Sequence, residues 1–214
     1  MTAHWSEMLA STGWVVLKPH DTGGEVDLDR VSSSLGAPVR TRAQRFQSLT
    51  PMSPDLARPS SLSAIYGLGR FPFHNDTAHL PRPARWLLIK CDAPGNDPVA
   101  TLLLDSRHLA FSPRQNNLAK SAVFFVRNGR RSFYASILGD PRFIRCDPGC
   151  FEPTGAHAAE AMALFQLRPE DPRVSSVHLK AGEILLVDNW RVLHGRASVP
   201  ESSRDRRMVR GLVA

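Results

Sequence analysis

The sequence predicts a mainly β chain with flanking helices, an α+β arrangement in which the strands close into a barrel or a double-sheet roll. Three observations carry this reading. Short apolar runs recur along the chain, turn residues separate them, and the segments with helical spacing do not alternate regularly with the strands. Alternating βαβ units are therefore disfavoured and a closed antiparallel design is favoured.

The elements follow in order. Residues 13–19 read as a strand closed by Pro19. Residues 27–36 read as a short helix, with Asp27 as its cap and Gly36 as its stop. Residues 50–63 are rich in Pro and Ser and read as a loop. Four apolar runs then predict strands at residues 85–91, 99–104, 123–127 and 132–137. Between the last two, Asn128-Gly129 is a hairpin signal, because both residues tolerate positive φ. Residues 154–167 are Ala-rich with helical spacing, and Thr154 is the expected cap. Further strands are expected at residues 174–179, 184–187 and 208–213, with Gly182 turning between the first two.

Composition bounds the function. The 214 residues are 42% hydrophobic and 22% charged, which suits one soluble domain rather than disorder or a coiled coil. No run approaches the roughly 18 apolar residues of a membrane span. The N-terminus lacks a basic stretch followed by an apolar one, so no secretory signal is expected. The three cysteines form no C-x-x-C pair, which points to a reducing, cytoplasmic setting. The net charge is +7, with 23 arginines and four lysines. Most of this charge is expected to be solvated. An anionic or carrier-tethered substrate is the functional alternative, since guanidinium forks match carboxylate and phosphate.

Chemistry concentrates in three segments. In Phe71-Pro72-Phe73-His74-Asn75-Asp76-Thr77, an extended backbone would project His74 and Asp76 to one face. An imidazole and a carboxylate are two parts of the facial triad that holds non-haem Fe(II). Taken alone the signal is weak: eight His and 13 Asp give about half an H-x-D per chain by chance. The second segment is the apolar run from Ile184 that ends at Asp188-Asn189, followed by Trp190-Arg191-Val192-Leu193-His194-Gly195-Arg196. Its His194 lies far enough from Asp76 to arrive on another strand. A histidine in such a place is more often structural, and its surroundings change that balance. The third segment, residues 204–212, carries Arg206 and Arg210 four apart on a strand-like run, so both would face the same way.

Together the segments F-P-F-H-N-D-T, D-N-W-R-V-L-H-G-R and D-R-R-M-V-R resemble the Fe(II)/2-oxoglutarate-dependent dioxygenases of the taurine dioxygenase/clavaminate synthase-like superfamily. The resemblance runs from about residue 35 to the C-terminus. It implies a double-stranded β-helix (jelly-roll) core in a single domain over residues 1–214. It implies His74, Asp76 and His194 as Fe(II) ligands and 2-oxoglutarate and O2 as cosubstrates. Arg206 would bind the distal carboxylate, supported by Arg210, with Arg204 and Arg207 as neighbours that could take its role. Thr101 would touch the cosubstrate, although the G-G-x-T wording of relatives reads Pro98-Val99-Ala100-Thr101. The compact interval between Asp76 and His194 implies short lid insertions.

The activity implied is hydroxylation of a small molecule, such as an amino acid or natural-product intermediate, with succinate and CO2 as coproducts. Desaturation and cyclisation are variants. A carboxylate at Asp76 argues against halogenation, which needs room for chloride. Asn75, Thr77, Tyr66 and Phe71 are candidate substrate residues because they flank the first motif. His79 is read as structural, Trp190 as packing, and Cys146 and Cys150 as buried thiols, since their spacing has no second pair to complete a zinc site. Competing functions are an oxygenase acting on nucleic acid or protein, and a non-catalytic metal-binding β-roll. The first has only the charge in its favour, and no nucleic-acid or membrane partner is expected.

Overall fold

The computed structural model describes residues 3–19, 24–40, 44–59 and 61–214. His20, and Ser60 of the predicted loop, lie outside the described residues. In chain order the elements are α1 (Ala3–Thr12), β1 (Trp14–Leu17), α2 (Leu28–Leu35), β2 (Phe46–Leu49), α3 (Leu62–Tyr66), β3 (Phe71–His74), β4 (Trp86–Ala93) and β5 (Thr101–Asp105). There follow α4 (Pro113–Ser121), β6 (Phe124–Val126), β7 (Phe133–Ala135), β8 (Phe151–Pro153), α5 (Ala156–Ala163), β9 (Val174–Val177), β10 (Ile184–Asp188), β11 (Val192–Arg196) and β12 (Arg207–Val213).

Two antiparallel sheets face each other. One has the order β1-β10-β4-β12-β2 and the other β3-β11-β5-β9. A small third sheet, β7-β6-β8, lies outside the second. Between the two main sheets sits an apolar interior made of Leu87, Ile89 and Cys91 from β4, Leu103 from β5, Leu185 and Val187 from β10, and Met208 and Leu212 from β12. The alternate residues of the same strands face outward but are also buried. Leu88, Ile184 and Leu186 pack under α1 and α2. Leu102 and Leu104 pack against Phe124, Phe151 and the alanines of α4 and α5. Burial on both faces explains why β4, β5 and β10 read as continuous apolar runs rather than as alternating ones.

The predicted mainly β roll with flanking helices is thus the observed architecture. Asp27 caps α2, accepting from the Asp29 and Arg30 amides. The predicted helix at residues 154–167 is shorter, Ala156–Ala163, and its cap position is Gly155. Thr154 is not the cap, because its hydroxyl donates across the sheet to Val123 O at 2.6 Å. Helices α1, α3 and α4 and strands β2, β8 and β11 add to the predicted set, α3 beginning at Leu62 inside the stretch read as a loop. For α4 the signal was present: Ser112 and Gln115 form a reciprocal capping box ahead of Pro113. No helix among the described residues is long and apolar enough to cross a membrane. Cys91, Cys146 and Cys150 are buried and unpaired.

A close approach between two strands sets the spacing of the imidazoles. In β11, a Cβ on Gly195 would stand 2.8 Å from Phe71 O, so only glycine lets β3 lie this close. The β3–β11 register pairs His194 with His74 and then shifts between His194 and Arg196.

Candidate metal centre

The first motif ends a strand and turns. His74 is the last residue of β3, and Asp76 follows two positions on. Three side-chain amides hold this stretch by its backbone. Gln166 accepts from the Phe73 amide through Oε1 and donates to Phe73 O through Nε2, both at 2.9 Å. Asn75 donates to Ile144 O at 3.0 Å and accepts from the Cys146 amide at 2.7 Å. Asn189, fully buried, accepts from the Asp76 amide at 2.9 Å and donates to Asp76 O at 3.0 Å and Ala84 O at 2.7 Å. Each amide supplies the donor–acceptor pair that a neighbouring strand would supply. Thr77 completes the turn in the left-handed region, φ 58°, rare for a β-branched residue. Its hydroxyl donates to Asp76 O at 2.6 Å and accepts from the Ala84 amide at 2.7 Å.

With the backbone fixed in this way, His74, Asp76 and His194 converge inside the roll. One ligand atom from each lies within 4.8 Å of the others. The two imidazole rings are 4.2 Å apart between centroids. His74 Nδ1 sits 3.0 Å from Pro72 O, so with the proton on Nδ1 its Nε2 carries the free lone pair. Asp76 Oδ2 lies 3.7 Å from His194 Nε2 and is buried with no hydrogen-bond partner. The other oxygen, Oδ1, accepts from Arg210 Nη1. Arg210 is in turn fixed by Gln47 Oε1 on β2, its register partner.

The charges agree with this geometry. Burial alone would push the Asp76 carboxyl up. Arg210, then His194 and His74, outweigh it and hold Asp76 below the ordinary carboxylate range. Burial, reinforced by His74, pushes His194 down to about 3, so its imidazole is neutral near pH 7. A neutral imidazole and an ionised carboxylate are the forms a divalent cation binds. The orphaned Asp76 Oδ2 in a buried, two-imidazole setting is a donor set that fits a non-haem iron site.

Around this cluster the other expected residues separate. Arg206 is 7% exposed, whereas Arg204 and Arg207 point to solvent and Arg204 pairs with Glu201 at 2.6 Å. Arg206 precedes the first residue of β12, yet it and Arg210 both reach the interior, where Arg206 Nη2 lies 3.4 Å from Val99 O and Arg210 meets Asp76. Thr101 is buried on β5, opposite Arg196. Asn75 and Thr77, expected near substrate, are buried in the turn, and their side chains bond to backbone groups. Tyr66 and Phe71 are half-buried with ring centroids 6.1 Å apart, Phe71 under the Arg196 guanidinium. Burial first, then Asp147, raises the Tyr66 hydroxyl. His79 is half-buried, and burial lowers it despite Asp147 and Asp76 nearby. Gln47, Gln166, Asn189 and Arg196 were not singled out from sequence. Asn189 and Arg196 lie inside the quoted D-N-W-R-V-L-H-G-R segment, the one signal that could have marked them.

No curated protein sequence matches the chain. Solved structures match its fold. An asparagine oxygenase, solved with Fe(II), 2S,3S-3-hydroxyasparagine and succinate, has a TM-score of 0.76 at 19% identity, covering 99% of this chain and 79% of its own. OrfP, a non-heme iron oxygenase solved with Fe and alpha-ketoglutaric acid, gives 0.72 at 16% identity, covering 99% and 78%. PvcB, from Pseudomonas aeruginosa and an Fe, alpha-ketoglutarate dependent oxygenase of an isonitrile synthetic pathway, gives 0.68 at 18% identity, covering 100% and 80%. At these identities the likeness is one of fold. The sequence profile described as "Taurine catabolism dioxygenase TauD, TfdA family" matches residues 106–212, half of the chain and the half that holds His194, Arg206 and Arg210. A jelly-roll of this topology, matched by that profile, leaves one assignment: the chain belongs to the TauD/TfdA dioxygenase family.

Proposed function

We propose that the chain is an Fe(II)- and 2-oxoglutarate-dependent dioxygenase that hydroxylates a small molecule, with His74, Asp76 and His194 holding the iron. The observation that carries this is the buried convergence of three ligand atoms within 4.8 Å, with Asp76 Oδ2 unpartnered. Bound together, Fe(II), 2-oxoglutarate and O2 supply the oxidising power for C–H hydroxylation, with succinate and CO2 as coproducts.

The chain's own residues do the rest. These three residues would hold iron and leave its remaining positions to cosubstrate and O2. Asp76 stays ionised because Arg210 faces it, and His194 stays neutral because it is buried. Arg206, buried and without a carboxylate partner among the described residues, anchors the distal carboxylate of the cosubstrate. The apolar interior of Leu87, Ile89, Leu103 and Met208 keeps bulk water from the reacting centre. Amino acids are the substrate class we favour. The solved asparagine oxygenase holds hydroxyasparagine, and OrfP holds (3S)-hydroxy-L-Arg.

The test is anaerobic addition of Fe(II) and 2-oxoglutarate, which should give the weak visible charge-transfer band of the chelate. The His74→Ala variant should lose both the band and the metal affinity. A wild-type protein that shows no band, together with unchanged metal affinity in His74→Ala, would overturn the proposal. Succinate release across a panel of amino acids then tests the substrate class, and no release above the substrate-free background would refute it.

A further inference from the structure

Arg196 stands two residues past His194 on β11, so its side chain leaves the same face of the strand, into the roll. The register sets it opposite Thr101 on one side and Phe71 on the other. Nη2 donates to Gly67 O at 2.7 Å and Gly69 O at 2.8 Å. The guanidinium lies 3.7 Å from the centroid of the Phe71 ring. Its Nε is buried and has no hydrogen-bond partner. The charge it feels is another cation, Arg206. The one side-chain hydrogen bond seen for Arg206 among the described residues runs from Nη2 to Val99 O at a long 3.4 Å.

Neither guanidinium forms an ion pair with a carboxylate among the described residues. A half-buried and a buried cation that both meet the start of β5, Arg196 opposite Thr101 and Arg206 at Val99, oppose folding when no counter-ion joins them, because each is partly desolvated and like charges repel. An anion received between them reverses both effects. The planar fork also explains why arginine stands here: Nη2 alone holds two carbonyls and Nε remains as a separate donor on the same rigid group, which a lysine ammonium cannot reproduce.

We propose that Arg196 is a second cosubstrate anchor: its Nε and the Arg206 guanidinium together receive the distal carboxylate of the 2-oxo dicarboxylate, while Nη2 holds the Gly67–Gly69 turn and Phe71 against the strand that carries His194. This inference rests on the dioxygenase reading and adds a residue to it. One side chain then ties the cosubstrate niche to both strands that supply imidazoles, β3 and β11.

The experiment compares 2-oxoglutarate with 2-oxovalerate, which keeps the 2-oxo acid end and has a methyl group in place of the distal carboxylate. Affinities of the anaerobic Fe(II) protein are measured for wild type, Arg196→Gln, Arg196→Lys and Arg206→Gln. Arg196→Gln should weaken 2-oxoglutarate roughly 10- to 100-fold, the scale of one lost charge-assisted hydrogen bond, and leave 2-oxovalerate within about twofold. Arg196→Lys should recover part of the loss by restoring the charge. Unchanged 2-oxoglutarate affinity in Arg196→Gln overturns the inference, as does equal weakening of both acids, which marks a packing role. Arg206→Gln separates the two readings. If it too binds 2-oxoglutarate normally, the dioxygenase site itself fails; if only Arg196→Gln is normal, this inference alone fails. Should Arg196→Gln not fold, the wild-type Zn(II) protein decides by NMR. The Arg196 Nε–H resonance should shift on adding 2-oxoglutarate and stay in place with 2-oxovalerate, and no shift with 2-oxoglutarate overturns the proposal.

Discussion

Replacing Asn189 by leucine should damage both the fold and the metal centre, although Asn189 is not one of the three proposed ligands. The side chain is fully buried and makes three hydrogen bonds, at 2.9, 3.0 and 2.7 Å, two of them to the backbone of Asp76. Leucine is close in volume, so little cavity forms and the loss is mainly polar. Three bonds at a net value of about 1 kcal/mol each set a lower figure of about 3 kcal/mol. The Asp76 amide, Asp76 carbonyl and Ala84 carbonyl would lose these partners while buried, which raises the cost toward about 6 kcal/mol. For a chain of this size that corresponds to a fall in Tm of roughly 6–24 °C. The freed backbone should also displace the Asp76 carboxylate and weaken metal binding roughly 10- to 100-fold, as loss of a ligand-orienting contact does. The assays are thermal unfolding of the metal-free protein and a competitive Fe(II) or Mn(II) titration. Asn189→Asp keeps the acceptor for the Asp76 amide but turns an anionic oxygen toward two carbonyls, so it should rescue little. A leucine variant that melts within about 2 °C of wild type and binds metal equally well would refute the role given to this amide.

Three further outcomes are expected. Arg191→Met should cost about 3–5 kcal/mol, because the guanidinium pairs with buried Asp105 and also donates to Leu9, Ala10 and Ser11 carbonyls at the end of α1; a double-mutant cycle with Asp105→Asn that shows no coupling would contradict this. Gly195→Ala places a Cβ 2.8 Å from Phe71 O, so it should cost about 1–3 kcal/mol and push β3 from β11, seen as a lower Tm and weaker metal binding; a wild-type Tm would be the contrary result. The metal-free protein should lose stability as pH falls. The unfolded chain protonates His194 near the ordinary histidine value, whereas the folded one resists down to about 3, so the unfolded state binds more protons across that window and stability rises with pH. Asp76, also held low, adds a loss in the same direction at still more acid pH. Melts at pH 7, 5.5 and 4.5 test this, and a flat or inverted trend would count against it.

The β roll was legible because its central strands are buried on both faces, and a chain segment of that kind must be apolar throughout. Strand β11 was hidden for the opposite reason. Its interior positions are Val192, His194 and Arg196, two of them polar, so no apolar rhythm announces it. The three proposed ligands could be picked out because their order and local wording resemble a family pattern; spacing alone gave about a chance-level signal for His74 and Asp76. What stayed invisible was everything that acts through the backbone. Nothing in the letters N, Q and T says that Asn75, Gln166 and Thr77 hold main-chain groups, since that depends on which loops fold against them. The arginine surplus also splits in two. Arg145, Arg191 and Arg196 are spent on backbone carbonyls within the fold, the first bonding to Ala78, Leu80 and Pro81, while Arg82 and Arg130 remain exposed at the surface.

The amide frame around the first motif has a consequence for how this centre responds to its surroundings. Gln166, Asn75 and Asn189 carry no net charge and do not titrate, so the scaffold that aims His74 and Asp76 is indifferent to pH and only weakly sensitive to ionic strength. Sensitivity is confined to the groups inside the frame, Asp76, His194 and the guanidiniums that face them. Acid or salt should therefore change what the centre holds before it changes where the ligands stand, and a chain emptied at low pH should regain its site on neutralisation without having to rebuild it.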